Sequence, residues 1–213
     1  MPSDQIRLFD ATAPWYDAGV KYLTLGLYSR FLDQAIERIN LQPGDKVLDV
    51  CTGTGINLDQ VLSRVGDGGE VVGVDLSRGM LKIAEKKFGG RANVRLVYGD
   101  VTTMNSYQGY FDKALMSFCI HEIEPHGRTA ALGRIQTMLK DGGELFIADY
   151  NNIPYERHGF LGRLGLRILE REDGLSYLRT DLKNMLAQHG FQQLEQYPFF
   201  RENLLLTRAR KKG

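Results

Sequence analysis

A short segment of the chain combines glycines with a distant acid in a way that suits a polar ligand. Residues 47–55 read VLDVCTGTG, an apolar run that ends in a turn with glycines at positions 53 and 55. Where such a turn leads into a helix, the backbone N–H groups at the helix start can face a ligand. Asp75 follows Gly53 by 22 residues, where an acid can accept hydrogen bonds from both hydroxyls of an adenosine ribose. The segment predicts a nucleoside site, although a purely structural turn would also need small residues here.

The turn differs from the dinucleotide fingerprint G-x-G-x-x-G. Leu58 stands where the third glycine would be, and that glycine lets the helix pack closely on the strand beneath a pyrophosphate. This difference, together with Asp49 just before the turn, disfavours NAD and favours a nucleoside without phosphates.

The elements that must position this turn follow from the hydrophobic pattern. From residue 46 onward, short β-branched runs alternate with stretches that carry apolar residues every three or four positions. The alternation is typical of an α/β fold with helices on both faces of a parallel sheet. The predicted strands are 46–50, 70–75, 94–98, 113–117, 144–148, 193–197 and 203–208. The predicted helices are 25–39, 57–65, 78–88, 128–139 and 180–189, with Ser77 capping the third and residues 141–143 ending the fourth.

The composition limits the class of protein. The 213 residues include 27 basic and 26 acidic side chains, which gives a formal net charge of +1. This balance lacks the positive field that gathers nucleic acid, and we expect no nucleic-acid partner. No apolar run approaches the roughly 20 residues that span a bilayer, and the first ten residues lack the apolar core of a secretory signal. We therefore expect one cytoplasmic domain over residues 1–213.

The two cysteines, Cys51 and Cys119, give little sign of a redox or metal role. They are too few for a disulfide framework and lack the C-x-x-C spacing of a metal site. Both follow strands that are predicted to be neighbours, so the two can lie near each other. We interpret them as small buried residues in a reducing compartment and not as a redox pair, and we expect no bound metal.

Further motifs follow the glycine turn in order. They are Asp49-x-x-x-Gly53-x-Gly55, Val74-Asp75, Gly99-Asp100, Phe111-Asp112 and the turn MLKDGGEL at residues 138–145. Together these residues resemble the motifs of class I S-adenosylmethionine-dependent methyltransferases, although Asp141 replaces the proline of the last motif. The resemblance implies an α/β, Rossmann-like fold whose seven-stranded, mainly parallel sheet has the order 3-2-1-4-5-7-6. It also implies S-adenosyl-L-methionine as the cofactor.

The resemblance assigns roles along the methionine and ribose parts of the cofactor. The turn at Cys51, Gly53 and Thr54 would pass beneath the methionine part. Asp49 would steer its ammonium group, and Asp75 would hold the ribose. Cys51 stands in place of the family's first glycine, and a small side chain can be accommodated there.

Other roles concern the adenine and the end of the fourth strand. Leu76 and Met80 would flank the adenine, and Asp100 with the Val101 N–H would bind its edge. The backbone of Ser117 would contact the cofactor. Each has a structural alternative: Asp100 could form a plain Asx turn, Met80 could fill the core, and Ser117 could be a buried hydroxyl.

Residues before the first strand point to one branch of the family. Phe9-Asp10 and Tyr16-Asp17 resemble the enzymes that C-methylate ubiquinone and menaquinone precursors, which places Tyr16 over the cofactor from an N-terminal helical lid at 1–40. The alternative for Tyr16 is an aromatic side chain that only packs the leading helix. The chain departs from that branch where His121-Glu122 replaces an Arg-Asn pair. We expect a small, apolar or aromatic, quinol-like acceptor.

Other functions stay open at this point. A phospholipid or amine N-methyltransferase is the alternative within the same chemistry. A non-catalytic S-adenosylmethionine-binding protein and an NAD-dependent reductase are the alternatives from other classes.

His121 is the candidate general base. It follows the fourth strand at the edge of the sheet where ligands bind, and imidazole exchanges protons near neutral pH. A base is needed only if the attacking atom carries a proton. The alternative is a histidine that caps the loop before the next helix.

Residues 151–174 interrupt the regular pattern. They interleave apolar side chains with Arg157, Arg163, Arg167 and Arg171. Such a segment can act as a substrate lid over an apolar acceptor or make transient contact with an anionic membrane surface. A surface helix packed on the domain is the alternative, and the oligomeric state, monomer or homodimer, stays open.

Overall fold

The computed structural model describes residues 3–151, 176–200 and 202–213. The predicted substrate lid therefore lies outside the described residues, apart from Asn151. The helices are α1 (Ser3–Thr12), α2 (Tyr16–Leu23), α3 (Leu27–Ile39), α4 (Leu58–Val65), α5 (Arg78–Phe88), α6 (Pro125–Met138) and α7 (Leu182–Gln188). The strands are β1 (Lys46–Val50), β2 (Glu70–Asp75), β3 (Val94–Tyr98), β4 (Phe111–Ser117), β5 (Leu139–Tyr150), β6 (Phe191–Phe199) and β7 (Leu204–Lys211). Short 3₁₀ turns occupy Ala13–Trp15 and Ile120–Glu122.

The strands form a seven-stranded sheet in the order β3-β2-β1-β4-β5-β7-β6. β1 pairs in parallel with β2 and β4, β2 pairs in parallel with β3, and β4 with β5. β7 runs antiparallel between β5 and β6. The predicted fold and strand order are thus confirmed. Because the strand order reverses between β1 and β4, the crevice at their carboxyl ends is where such sheets bind ligands.

The boundaries of most elements agree with the hydrophobic pattern, and one differs for a clear reason. β1, β2 and β3 begin and end at the predicted residues, and Ser77 accepts a hydrogen bond at the start of α5 as predicted. The glycines at 142 and 143 do not end a helix, however, because β5 already begins at Leu139. Leu139 is fully buried and pairs with Phe111, and the register shifts after this pair. The glycines therefore lie in an irregular part of β5.

The core lies on both faces of the sheet. Leu48 and Val50 of β1 belong to a cluster with Ile135 of α6 on one face. Val47 belongs to a second cluster, with Phe31 of α3, on the other face. β1 is therefore sandwiched between helices, and its carboxyl end emerges between two packed layers.

A charged residue, Arg128, lies inside this core with 1% exposure. Its guanidinium donates to the carbonyl oxygens of Ile120 and His121 at 3.0 and 3.3 Å and to the hydroxyl of Thr180 at 3.1 Å. Buried charges persist only where such partners are present. Arg128 thus fixes the 3₁₀ turn after β4 to α6 and to the segment before α7.

We expect Arg128→Met to lower the free energy of unfolding by about 3 kcal/mol, because it removes the donors to two buried carbonyl groups. Arg134→Met is the control, since Arg134 lies on the same helix and is only partly buried. It should cost less than about 1 kcal/mol. Urea denaturation followed by circular dichroism measures both values. Equal losses in the two variants would contradict this role of Arg128.

Candidate active site

An open cavity of about 930 Å³ lies at the carboxyl ends of β1, β2 and β4. Its walls come from the turns after these strands, from the segment after β3 and from the N-terminal helices. The predicted cofactor residues that line it are Tyr16, Cys51, Gly53, Thr54, Asp75, Leu76, Met80, Asp100, Val101 and Ser117. Asp49, the remaining predicted cofactor residue, and His121, the candidate general base, are not part of the wall.

The turn after β1 uses backbone conformations that favour glycine. φ is +56° at Gly53 and +76° at Gly55, in the left-handed region. A Cβ atom at Gly55 would lie 2.8 Å from a ring carbon of Phe88, so α5 can pack here only against a residue without a side chain. Cys51 adopts the same region, with φ +54°, despite its side chain.

Asp49 is a buried carboxylate just behind the cavity wall. Its Oδ2 accepts a hydrogen bond from the Thr52 hydroxyl at 2.6 Å, and its Oδ1 has no hydrogen-bond partner among the described residues. Burial raises its pKa to about 7, and the charge of Asp75 acts in the same direction. A carboxylate in this situation is suited to a cationic group of a ligand.

Asp75 joins the two turns at the bottom of the cavity. Its Oδ2 accepts a hydrogen bond from the Gly53 N–H at 2.8 Å, and its Oδ1 accepts one from the Ser77 N–H at 2.7 Å. Burial raises the pKa of Asp75, and these hydrogen bonds oppose the shift. Leu76 and Met80 continue the same wall, and Met80, at 3% exposure, both fills the core and faces the cavity.

Asp100 forms the Asx turn named above as its structural alternative, and Ser117 has a buried hydroxyl as its own alternative states. Both residues also line the cavity. The Asp100 carboxylate accepts a hydrogen bond from the Thr102 N–H at 2.8 Å, which is an Asx turn. The Ser117 hydroxyl accepts one from the side-chain amide of Asn57 at 2.6 Å. Asn57 was not predicted as a site residue, although it follows the glycine turn by two positions. The cofactor roles of Asp100 and Ser117 stay predictions.

The N-terminal helices contribute one side of the cavity and are anchored to α5. Phe9 and Tyr16 line the cavity with ring centroids 6.3 Å apart. The Asp10 carboxylate accepts hydrogen bonds from the Ser77 hydroxyl at 2.6 Å and the Gly79 N–H at 2.7 Å. A Cβ atom at Gly79 would lie 2.7 Å from the backbone of Asp10, so this close approach requires glycine.

Asp17 provides a second anchor for the same segment. Its carboxylate accepts hydrogen bonds from the Thr54 hydroxyl and the Lys87 ammonium, both at 2.5 Å. Tyr16, beside it, is half-buried, and burial raises the pKa of its hydroxyl to about 12. Sequence reasoning missed the anchoring by Asp10 and Asp17, although both belong to the paired motifs that placed Tyr16 over the site.

His121 lies behind the cavity wall. It is 4% exposed, with its Nδ1 2.6 Å from Asp149 Oδ1 and its Nε2 3.4 Å from Glu122 Oε1. We assign the ring proton to Nδ1, since that nitrogen faces the Asp149 carboxylate. Glu122 lines the cavity. A proton from a ligand can therefore reach His121 through Glu122.

Cys51 and Cys119 form a disulfide bond, with their Cα atoms 6.0 Å apart. The expectation that the two lie near each other is confirmed, and the interpretation of them as small buried residues and not as a pair is wrong. They are 68 residues apart and meet because β1 and β4 are neighbours in the sheet. Both also line the cavity.

The cavity fits the cationic groups of S-adenosyl-L-methionine in charge. The cofactor carries a sulfonium and an ammonium group, and the charged side chains that line the described part of the cavity are Asp75, Asp100 and Glu122. The buried Oδ1 of Asp49 supplies a further acceptor without a partner among those residues.

Residues 3–151, 176–200 and 202–213 contain no group of three or more His, Cys, Asp or Glu side chains placed to hold a metal ion. No helix in them is long and apolar enough to cross a membrane.

Asp49→Asn should stabilise the ligand-free protein in a pH-dependent manner. The pKa of Asp49 is about 7 in the folded protein and about 3.9 in an unfolded chain. Between these values the folded protein binds a proton that the unfolded chain has lost, so stability falls as pH rises. The Asn side chain does not titrate, and its advantage should grow from near zero at about pH 4 to on the order of 4 kcal/mol at about pH 8.

Urea denaturation across this pH range measures the difference between wild type and variant. Asp59→Asn is the control, because Asp59 is exposed at the start of α4. The prediction is contradicted if the gain in unfolding free energy from Asp49→Asn is constant with pH or larger in acid. Burial would then not destabilise the charged carboxylate.

Comparison with known proteins agrees with this geometry. Residues 47–143 match the family described as "Methyltransferase domain". The demethylmenaquinone methyltransferase of Beutenbergia cavernae is 26% identical over 198 residues, covering 89% of this chain and 79% of the relative.

Solved structures share the fold. A chain from the complex of the Trm112 methyltransferase activator of Haloferax volcanii has a TM-score of 0.75 at 18% identity, covering 96% of this chain and 98% of that one. Phosphoethanolamine N-methyltransferase 2 of Haemonchus contortus, solved with S-adenosyl-L-methionine, has a TM-score of 0.66 at 20% identity. The match covers 85% of this chain and 52% of that one. With the matched domain, the sheet order and the acidic cavity, the chain is a class I methyltransferase that depends on S-adenosyl-L-methionine.

Proposed function

We propose that the protein transfers a methyl group to a small aromatic acceptor of the quinol type. The observation that carries the proposal is the contrast between the two sides of the cavity. Asp75 and Asp100 lie on the side of β2 and β3, whereas Tyr28, Phe118 and Glu122 lie on the side of β4. The predicted nucleoside site occupies the first side, which leaves the aromatic side for the acceptor.

The acceptor side is built for a flat apolar molecule. The Tyr28 ring stacks on the Phe118 ring with centroids 4.7 Å apart, and Tyr150 meets Phe118 edge to face at 5.6 Å. Offset and edge-to-face contacts of this kind extend readily to a further ring. An aromatic acceptor can therefore bind here by stacking.

The charges of the cavity disfavour a phosphorylated acceptor. Among the residues that the structure describes, the cavity wall contains carboxylates and no lysine or arginine. Phosphate groups are usually held by arginine, lysine or backbone N–H groups. This favours a quinol over phosphoethanolamine, the acceptor named for one of the structural neighbours. The name of the demethylmenaquinone methyltransferase relative points in the same direction.

Bound S-adenosyl-L-methionine supplies an electrophilic methyl carbon, and the protein supplies alignment and removal of the acceptor's proton. The tyrosines are unsuited to the proton transfer, because burial raises the pKa of Tyr28 well above its usual value and that of Tyr16 to about 12. Glu122 faces the cavity and contacts His121, which Asp149 holds by the opposite nitrogen. We assign to Glu122 the first acceptance of the hydroxyl proton and to His121 the role of the general base that takes this proton from Glu122. The ring carbon that gains the methyl group then loses its hydrogen as a proton, and the oxygen regains a proton. The aromatic quinol is thereby restored, and the net proton released is that of the ring carbon.

The choice of acceptor is tested with S-adenosyl-L-methionine labelled at its methyl group. A short-chain demethylmenaquinol, a simple phenol and phosphoethanolamine are offered separately under conditions that keep the quinol reduced. We expect label on a ring carbon of the quinol. Label on phosphoethanolamine alone would favour the amine N-methyltransferase, and no label on any acceptor would favour a binding protein.

Glu122→Gln and His121→Asn should each lower kcat by roughly 100-fold or more, the usual contribution of a general base. The dissociation constant of S-adenosylhomocysteine should change by less than about threefold, because neither residue is predicted to hold the cofactor. His126→Asn is the control, since its side chain is 83% exposed, with its Nε2 3.3 Å from Glu124 Oε2, and it does not line the cavity. Full turnover in His121→Asn would remove His121 from the mechanism.

A further inference from the structure

We propose that the Cys51–Cys119 disulfide is a redox site that sets the affinity of the cavity for its cofactor. The proposal rests on cofactor binding and not on the identity of the acceptor. Its first support is position, since both cysteines line the cavity. Cys51 opens the turn that the cofactor is predicted to lie on, and Cys119 directly precedes the 3₁₀ turn Ile120–Glu122. One covalent bond thus joins the cofactor turn to the segment that carries His121 and Glu122.

Left-handed backbone occurs at one cysteine of this bond and directly before the other. Cys51 has φ +54°, and Phe118, next to Cys119, has φ +46°. Residues with a side chain rarely adopt this region, because Cβ crowds the following carbonyl group. A covalent link between the two turns holds both conformations. Once the link is broken, either turn can relax to a common conformation and move away from the shape that the cofactor needs.

Access to the bond is one-sided. Cys119 is fully buried, whereas Cys51 is partly exposed. A small thiol such as glutathione can therefore enter the cavity as its thiolate and attack Cys51 Sγ. This forms a mixed disulfide and releases the Cys119 thiolate, which takes up a proton. A second glutathione thiolate then attacks the mixed disulfide, and the products are the Cys51 thiol, after protonation, and oxidised glutathione.

Cofactor and redox state must influence each other reciprocally. If the disulfide form binds the cofactor more tightly, bound cofactor makes the disulfide harder to reduce by the same factor. A ligand that fills the cavity also blocks the route to Cys51. Given the usual cost of a left-handed residue, we expect reduction to weaken cofactor binding on the order of tenfold.

The test compares binding of S-adenosylhomocysteine to the oxidised and reduced protein by isothermal titration calorimetry. The protein is prepared in oxidised glutathione or in dithiothreitol, and alkylation followed by intact mass counts its free thiols. The chain has two cysteines, so no other thiol responds. We expect zero free thiols with tight binding in the first state, and two free thiols with about tenfold weaker binding in the second.

Two variants serve as matched controls. Cys119→Ser removes the partner, and Cys51→Gly removes the bond and also relieves the backbone at residue 51. Both should bind S-adenosylhomocysteine with an affinity that does not respond to either reagent. The same dissociation constant for wild type in both states, or two free thiols after oxidation, would overturn the redox proposal alone. No binding in any state would overturn the cofactor assignment, and this proposal with it.

Discussion

The hydrogen bond from the Gly53 N–H to the Asp75 carboxylate, at 2.8 Å, fixes the geometry of the whole site. The turn after β1 must leave a buried strand, reverse, and start α4 a few residues later, which it does through left-handed residues. The turn has hydrogen bonds of its own, from the Gly55 N–H to the Thr52 carbonyl at 2.9 Å and from the Leu58 N–H to the Gly55 carbonyl at 3.0 Å. Asp75 ties it to the end of the neighbouring strand and is itself held by the Ser77 N–H. The cavity therefore keeps its shape through the register of β1 on β2.

The N-terminal helices form one side of the cavity at the carboxyl ends of the strands. Asp10 places its carboxylate at the first turn of α5, where backbone N–H groups and the helix dipole favour negative charge. Hydrogen bonds from Ser77 and Gly79 accordingly lower the pKa of Asp10. Asp17 bonds to the turn residue Thr54. Two acids thus hold the segment that brings Phe9 and Tyr16 to the cavity, and both bonds end on elements that the cofactor is predicted to touch.

The sequence predicts what depends on local pattern and misses what depends on distant partners. The bounds of β1 to β3 and the grouping of Asp75, Asp100 and Ser117 at one edge follow from strands that end in turn residues. The strand order is implied by the motif resemblance and not by the local pattern. The burial of Arg128 could not be predicted, because an arginine on a helix is normally exposed and its partners come from other segments. The proximity of the two cysteines is predicted from their neighbouring strands, but the disulfide is not, because two cysteines without a disulfide framework are usually reduced inside the cell. The position of His121 behind Glu122 depends on the 3₁₀ turn, which has no clear sequence signal.

Asp49 shows how the fold retains a group that opposes folding. Its burial makes the carboxylate unfavourable in the free protein, as the raised pKa indicates. Thr52 offsets part of this cost, and it can reach Asp49 only because residue 73 of β2 is a glycine, since a Cβ atom there would lie 2.8 Å from the Thr52 hydroxyl oxygen. The second carboxylate oxygen lacks such help among the described residues. A cationic ligand group beside Asp49 would offset the remaining desolvation penalty of the buried carboxylate. Part of the free energy that burial of Asp49 subtracts from folding stability would then be regained on ligand binding. A glycine in the middle of a buried strand, which carries no chemistry of its own, is thus a requirement of the hydrogen bond between Thr52 and Asp49, a predicted cofactor residue.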